Sequence, residues 1–327
     1  MERRKIMLAS FGASLLAKSG FSIAQGQTPA FLKAGTPIKY VVPYAAGGLT
    51  DIVARAIAQR LSENWKVSVV VDNKTGANGQ IGAQYIAQSA PDGSQLLAIT
   101  LSHAANVTLL PNSGYSFVRD LRPVALLIGS PMLIVVPENS PVKDFKDLIA
   151  TARKRRLNAG SGGNGTPQHL TMALFNQLTG TTMTHVPFRG GAPAVGALVG
   201  GQLDVVFANF PEAIANVQGN KLRALAVCSA SRHAMIPEVP TTAELGMSDL
   251  VVENWNAAMI QVNTPDAVVD QYSREMVRIM SSPELEAQAK RLGFTLTPKP
   301  ASEAAAFIKT EIERWKRVIQ AANIEVT

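Results

Sequence analysis

Cysteine and histidine are scarce in this 327-residue chain, and their scarcity excludes several kinds of chemistry. Cys228 is the only cysteine, so an internal disulfide is impossible. Its apolar, strand-like surroundings indicate a small buried side chain rather than a nucleophile. The histidines share no close spacing with one another or with a carboxylate pair, so the sequence predicts no metal site. The four are His103, His169, His185 and His233.

Acidic residues are missing from two long stretches, 3–50 and 148–203, in a chain whose formal net charge is +7. Each stretch holds a glycine-rich loop. A field of one sign around a cleft attracts ions of the other sign, so these loops favour an anionic ligand. The basic residues do not cluster with exposed aromatic residues, so nucleic acid is not an expected partner.

Long apolar runs are also missing beyond the N-terminus, which excludes a second membrane-spanning helix. Residues 1–24 have the three parts of an export signal: a basic start at 3–5, an apolar run at 6–17 and a small-residue cleavage site ending at Ala24. We therefore expect a periplasmic protein cleaved near Ala24. The signal fits both the general and the twin-arginine export route.

The most informative stretch that is present runs from Ile38 to Arg55. Residues 38–42 are apolar and β-branched, which predicts a buried strand. Gly47 and Gly48 follow in a tight loop, and Thr50 or Asp51 is expected to cap the next helix, with Asp51 and Arg55 as an i,i+4 pair. An ordinary strand–helix turn fits these residues, and so does an anion site at a helix N-terminus.

Strands alternate with helices along the chain, which indicates a parallel sheet whose ligands lie at the carboxyl ends of its strands. The third predicted strand ends at Thr100, Ser102 and His103, which join the candidate surface. An apolar segment at 124–136 is expected to cross to a second lobe, interrupted by Gly129–Pro131. The C-terminal remainder is expected to be helical, with Trp315 in the core.

A second strand–glycine loop–helix unit lies at 157–170, with Thr166 as the expected N-cap and Pro167 at the first helical position. Its glycines match the dinucleotide-binding spacing. That motif needs an acidic residue about 20 positions later, and here the first acidic residue after the loop is Asp204, which is too far away. The serine in this loop, Ser161, also lacks the glycine pattern of a hydrolase nucleophile. An anion site without catalytic chemistry remains.

With these motifs in place, the chain resembles the substrate-binding proteins of tripartite tricarboxylate transporters, the Bug family. The resemblance covers nearly all of the sequence after the export signal. The motifs that carry it are Pro43–Asp51, Asn73–Gly82, Ala90–Gly93, Gly163–Thr166 with His169 and Leu170, His185–Gly190 with Ala192 and Pro193, Gly200–Asp204, Lys221–Ala226 and Val239–Thr241.

The resemblance implies an α/β, two-lobed periplasmic binding protein-like (type II) fold with a ligand cleft between the lobes. Lobe 1 would comprise 27–126 and 250–327, and lobe 2 would comprise 127–249. Carried over by position, the ligand-facing residues would be Tyr44, Ala46, Gly47 and Gly48 from lobe 1 and Ser161, Asn164 and Thr166 from lobe 2. Phe188 and Asn209, near the ends of later strands, complete the candidate set with Thr100, Ser102 and His103.

The chain departs from the family pattern after Phe207, where the family often has an aspartate and this chain has Ala208. The departure argues against an amino-acid ligand and predicts an uncharged wall next to Asn209.

The expected function is extracytoplasmic capture of a small organic anion, a carboxylate, by a monomer that delivers it to membrane permease subunits. No cofactor, metal or catalytic residue is expected, and the lobes would close about crossings near 124–130 and 229–250. Two alternatives stay open: an exported hydrolase or isomerase on the same fold, with His103 or His169 as its base, and an orphan sensor for a signalling partner.

Overall fold

The computed structural model describes residues 28–33 and 35–324. The predicted export signal, 1–24, lies outside the described residues. Among the helices of the described chain, none is both long and apolar enough to cross a membrane.

Ten strands form one continuous sheet in the described chain. They are β1 (Ile38–Val42), β2 (Val69–Asn73), β3 (Gln95–Thr100), β4 (Leu121–Pro137), β5 (Asn158–Ser161), β6 (Thr184–Pro187), β7 (Val205–Asn209), β8 (Leu222–Cys228), β9 (Glu253–Gln261) and β10 (Thr295–Pro300). The helices are α1 (Leu49–Trp65), α2 (Gln80–Ala87), α3 (Leu101–Leu109), α4 (Phe117–Asp120), α5 (Phe145–Lys154), α6 (Pro167–Thr179), α7 (Gly191–Val199), α8 (Phe210–Gln218), α9 (Asp266–Met280), α10 (Pro283–Leu292) and α11 (Ala301–Ala321). Two short 3₁₀ turns lie at Ala77–Gly79 and Ser248–Leu250.

The sheet has two halves joined by β4. The first half has the order β2-β1-β3-β9-β4 with β10 paired to β4, and the second has the order β4-β7-β5-β6 with β8 paired to β4. β1 runs parallel to β2 and β3, and β5 runs parallel to β6 and β7. The predicted parallel sheet is therefore confirmed for these strands, whereas β4, β8, β9 and β10 enter antiparallel pairs.

The interruption of the apolar pattern at Gly129–Pro131 does not end a strand, because β4 continues through it as one 17-residue strand. The strand changes partners there instead of ending. Residues up to Pro131 pair with β9, and residues from Met132 onward pair with β7 and β8. One unbroken strand thus carries the chain from one half to the other, and the segment 229–252 between β8 and β9 carries it back.

The C-terminal part is not wholly helical as expected, since β10 lies between α10 and α11. Its prolines lack N–H donors and suit a strand that pairs on one side only, and β10 pairs irregularly with β4. The prediction for Trp315 is confirmed: its side chain is fully buried, and it packs with Trp255 of β9 in the largest apolar cluster. The halves are therefore held by this core as well as by β4.

Candidate functional site

Parallel strands of both halves end at a cleft between them. β1 and β3 end at Val42 and Thr100, while β5 and β7 end at Ser161 and Asn209, and a helix follows each of the four. The halves meet across part of this cleft, since a Cβ atom placed on Gly165 would lie 2.8 Å from Asn78 Nδ2. The glycine loop before α6 therefore meets the turn at Ala77–Gly79, which belongs to the other half of the sheet.

The first loop leaves the N-terminus of α1 without a side-chain cap. Gly48 is the N-cap residue, so the predicted capping by Thr50 or Asp51 is wrong. Asp51 instead accepts hydrogen bonds from the Gly47 N–H at 2.9 Å and from Arg55 Nε at 2.8 Å, which confirms the predicted ion pair. Because Asp51 occupies the Gly47 N–H, the N–H groups for a ligand are those from Gly48 onward, at the start of α1.

Asp51 is buried and is held by a third donor, Asn73 Nδ2, at 2.9 Å. Burial acts to raise the pKa of Asp51, but the hydrogen bonds from Arg55, Gly47 and Asn73 outweigh it and hold the pKa below the usual value. The negative charge of Asp51 is therefore balanced by Arg55 and by its hydrogen-bond donors, so it does not repel an anion at the N-terminus of α1.

Acid is expected to weaken the folded state through Asp51. A carboxyl whose pKa is depressed by folding stabilises the fold fully above its unfolded pKa of about 3.9, and the contribution disappears as the pH falls through the lower folded value. Asp51→Asn should lower the free energy of unfolding by about 1–2 kcal/mol at pH 7, with a smaller difference near pH 3. Urea unfolding at both pH values measures this. Asp249→Asn, at an exposed site, is the control, and a loss that is equal at both pH values would contradict the assignment.

The polar residues after β3 are tied to one another beneath the first loop. Thr100 and His103 form a capping box at the start of α3, with the Thr100 N–H donating to His103 Nδ1 at 3.2 Å. Tyr44 Oη lies 2.8 Å from Thr100 Oγ1. Burial lowers the pKa of His103 to about 4, so its imidazole is neutral. Thr100, Ser102 and His103 are all buried, and their predicted contact with a ligand stays a prediction.

The second loop is held by hydrogen bonds to His185 of β6 and His169 of α6. Ser161 Oγ lies 2.5 Å from His185 Nε2 and accepts from the Gly163 N–H at 3.0 Å. The Gly165 N–H donates to His169 Nδ1 at 3.1 Å. Asn164 lies between these glycines in the same loop. The loop is therefore a rigid turn at the start of α6.

Thr166 is the N-cap residue of α6 and Pro167 follows it, as the sequence predicts. Its side chain does not cap the helix, however, so the predicted capping bond is wrong. The hydroxyl donates backward to the Gly163 carbonyl oxygen at 2.7 Å, because the turn brings that oxygen within reach first. The N-terminus of α6 therefore also lacks a side-chain cap, like that of α1.

His169 and His185 are stacked, with ring centroids 3.8 Å apart and planes 4° from parallel. Burial lowers the pKa of both, and the neighbouring His185 helps to bring that of His169 to about 4. Sequence reasoning missed this pair because the residues are far apart in the chain. His169 lies on α6, which follows β5, and His185 lies on β6, which pairs with β5, so the two rings meet only in the folded sheet.

Asn209 lies where β7 ends. The sequence predicted an uncharged wall beside it, and this is wrong because an acidic residue, Glu212, lies there. Glu212, one helical turn further on, accepts a hydrogen bond from Gln168 Nε2 at 3.0 Å. Burial raises the pKa of Glu212. Asn254 Nδ2 donates to Asn209 Oδ1 at 2.9 Å. Sequence reasoning missed Gln168, Glu212 and Asn254, since no local pattern marks contacts between such distant residues.

Phe188 borders the second loop, with its N–H donating to the Ser161 carbonyl oxygen at 2.9 Å. Gly162 packs against the same turn, since a Cβ atom there would lie 3.0 Å from the Gly191 nitrogen. Contact of Phe188 with a ligand stays a prediction. Within the described residues, no group of three histidine, cysteine or acidic side chains is arranged to hold a metal ion.

Two lobes on one sheet, with an uncapped helix N-terminus after a parallel strand of each, are the arrangement of a solute-binding protein. The chain belongs to the tripartite tricarboxylate transporter receptor family, whose model matches residues 53–324. The predicted Bug-family membership and two-lobed fold are thereby confirmed.

Relatives and solved structures agree with this assignment. BugT of Bordetella pertussis is 32% identical over 314 residues, which cover 94% of this chain and 96% of BugT. A solved R. palustris structure with adipate is 30% identical, with a TM-score of 0.84 over 90% of this chain and 100% of that one. MatC from Rhodopseudomonas palustris with bound malate is also 30% identical, with a TM-score of 0.79 over 86% of this chain and 98% of MatC.

Proposed function

We propose that this protein captures a small organic anion, a carboxylate, in the cleft between its lobes and delivers it to the membrane permease subunits of a tripartite transporter. It works as a monomer after export and after cleavage near Ala24. The observation that carries the proposal is the pair of helix N-termini, those of α1 and α6, that reach the cleft with no side-chain cap. Such termini bind anions through backbone N–H groups and the helix dipole.

The surrounding charges support an anionic ligand. Asp51, the acid in the first turn of α1, is matched by Arg55, and α6 has no acid in its first turn. The second loop lies within the stretch 148–203, which contains no acidic residue. The relatives solved with adipate and malate hold dicarboxylates, so a dicarboxylate is the ligand class to test first.

The two histidines that the sequence offers as candidate bases are used for structure, which supports binding rather than catalysis. His103 Nδ1 accepts the Thr100 N–H, and His169 Nδ1 accepts the Gly165 N–H. Each ring nitrogen that could take a proton from a substrate is thus already an acceptor for the backbone. The ligand is expected to leave the protein unchanged.

Delivery requires the cleft to open and close, and the two crossings about which it would do so are those near 124–130, within β4, and 229–250. Asn78 beside Gly165 marks where the lobes touch when the cleft is closed. The lobe boundaries proposed are those from the sequence, 27–126 with 250–327 and 127–249.

The test is binding without turnover. Purified protein titrated with adipate and with malate should give saturable one-to-one binding in calorimetry, and ligand at about 100 times its Kd should stabilise the fold by about 2.7 kcal/mol. Native mass spectrometry of gently purified protein should show an added mass of a carboxylic acid. Conversion of either acid into a product, or binding of neutral solutes alone, would overturn the proposal.

A further inference from the structure

A cavity of about 400 Å³ lies between α6 and the C-terminal end of α11, and we call it the α6–α11 cavity. Its walls are one face of α6 from His169 to Gln177, the segment 181–183, His185 of β6 and residues 321–324. In the described chain, the glycine loops before α1 and α6 do not line it. Small-molecule sites usually enclose about 300–1,000 Å³, so this cavity has room for a ligand of its own.

The wall of the cavity is uncharged, which decides what can enter. Among the described residues that line it, none is acidic or basic apart from the two histidines. Burial lowers the pKa of both His169 and His185, so both rings are neutral near pH 7. An ion that left water for this cavity would lose its hydration and find no opposite charge. The cavity therefore favours an uncharged molecule.

The two imidazoles offer one hydrogen-bond donor and one acceptor. His169 Nδ1 accepts from the Gly165 N–H at 3.1 Å, so the proton of the neutral ring lies on Nε2. Ser161 Oγ donates to the Gly163 carbonyl oxygen at 3.1 Å. In the 2.5 Å contact between Ser161 Oγ and His185 Nε2, the imidazole is therefore the donor, which leaves His185 Nδ1 as an acceptor.

The remaining nitrogens of the two rings are close together and open to a shared partner. Neither His169 Nε2 nor His185 Nδ1 has a hydrogen-bond partner among the described residues, and the ring centroids are 3.8 Å apart. Both residues line the cavity. A ligand group that accepts and donates at neighbouring atoms would satisfy both rings, and a primary carboxamide is such a group.

The wall beside the rings is apolar. Met172 and Ala173 of α6 and Met183, which precedes β6, all line the cavity and are at most 7% exposed. Methionine side chains adapt to irregular space, and their sulfur atoms make favourable contacts with aromatic rings. The wall therefore suits an aromatic ring attached to the hydrogen-bonding group.

We propose that the α6–α11 cavity is a second binding site, separate from the cleft, for an uncharged aromatic carboxamide. The amide oxygen accepts from His169 Nε2, the amide N–H donates to His185 Nδ1, and the ring packs against Met172 and Met183. The two imidazoles that hold the glycine loop through one nitrogen hold this ligand through the other. The site is independent of the proposed function, since its ligand is neutral.

The test uses benzamide, methyl benzoate and benzoate with the whole protein. In calorimetry, benzamide should bind saturably and one-to-one, and methyl benzoate, which has no hydrogen to donate, should bind at least about tenfold more weakly. Gly48→Val covers the N-terminus of α1 in the cleft, so it should leave benzamide binding unchanged and should abolish binding of benzoate.

Four calorimetric results would overturn the proposal: no binding of benzamide, equal affinities for benzamide and methyl benzoate, loss of benzamide binding in Gly48→Val, or binding of benzoate that persists in Gly48→Val. The proposed function is judged separately, by adipate and malate, so either proposal can fail alone.

The histidine nitrogens give a direct readout, because the chain has only four histidines. In ¹⁵N spectra of histidine-labelled protein, both His169 and His185 should show the Nε2–H form before benzamide is added. Benzamide should then shift the imidazole nitrogens of these two residues and leave those of His103 and His233 unchanged. Shifts confined to His103 or His233, or no shift at saturating benzamide, would refute the assignment.

Ala173→Leu adds a larger side chain to the cavity wall and should abolish benzamide binding. Ala215→Leu, at an exposed position on α8, is the matched control and should bind benzamide normally. Thr182→Trp, at an exposed position on the cavity rim, is a second variant that leaves the core untouched, and it should weaken binding at least about tenfold. Normal benzamide binding by Thr182→Trp and by a folded Ala173→Leu protein would place the ligand elsewhere.

Discussion

Gly48→Val is expected to abolish ligand binding while the protein keeps its fold. Gly48 has φ −75° and ψ 166°, an extended conformation that valine adopts readily. A Cβ atom there would meet only the Ala45 carbonyl oxygen, at 3.7 Å. The unliganded protein therefore accommodates the side chain. A ligand carboxylate does not, because the added methyl groups cover the first N–H groups of α1.

The affinity of Gly48→Val for the ligand should fall at least about a hundredfold in calorimetry, roughly 2.7 kcal/mol, with little change in Tm. Gly196→Val is the matched control, because Gly196 lies on α7 with no atom within 4 Å of its added Cβ. Gly47 is unsuitable for this test, since its φ of +86° would strain any other residue. Normal binding by a folded Gly48→Val protein would place the carboxylate away from α1.

Glu311→Ala should have the largest effect on stability. Glu311 Oε2 accepts hydrogen bonds from two buried indoles, Trp255 Nε1 at 2.9 Å and Trp315 Nε1 at 3.1 Å. Alanine leaves both donors buried without an acceptor, at about 1–3 kcal/mol each. The free energy of unfolding should fall by about 2–4 kcal/mol. Burial and the charge of Glu311 both raise the pKa of the nearby Glu253. Removing the Glu311 charge ends its repulsion of Glu253, which offsets a small part of the loss in stability.

Glu311→Gln should restore most of this stability, because its amide oxygen accepts from both indoles. Glu313→Ala, at an exposed position on α11, should change the urea midpoint little. A Glu311→Ala protein as stable as the Glu313→Ala protein would show that the indoles find other acceptors. Since Trp255 lies on β9, the same experiment tests whether α11 holds the strand that returns between the lobes.

The sequence predicted the parts of the fold that local patterns encode. The strand at Ile38–Val42, the glycine loop after it and the Asp51–Arg55 pair all follow from residues close together in the chain. β10 was missed because its prolines oppose strand formation, and only pairing with β4 supplies the reason for it. α3 was missed because its start coincides with the end of β3 and is fixed by a capping box.

The candidate site was predictable in its loops and not in its interior. The glycines and the absence of acids mark both loops in the sequence. The links Asn209–Asn254, Gln168–Glu212 and Ser161–His185 join residues from different strands and helices, so only the folded sheet shows them. Thr166 was predicted correctly as the N-cap residue, but the partner of its hydroxyl was not, because that partner depends on the shape of the turn.

The unbroken β4 has a consequence for how this protein could be re-engineered or could diversify. A chimera that exchanged lobe 2 at the proposed boundary, 127–249, would join two parents inside β4, between residues paired with β9 and β10. Each parent would bring its own register and packing to that join. The lobes are therefore poor modules for exchange, and new ligand specificity is more easily reached by substitutions in the loops than by recombining whole lobes.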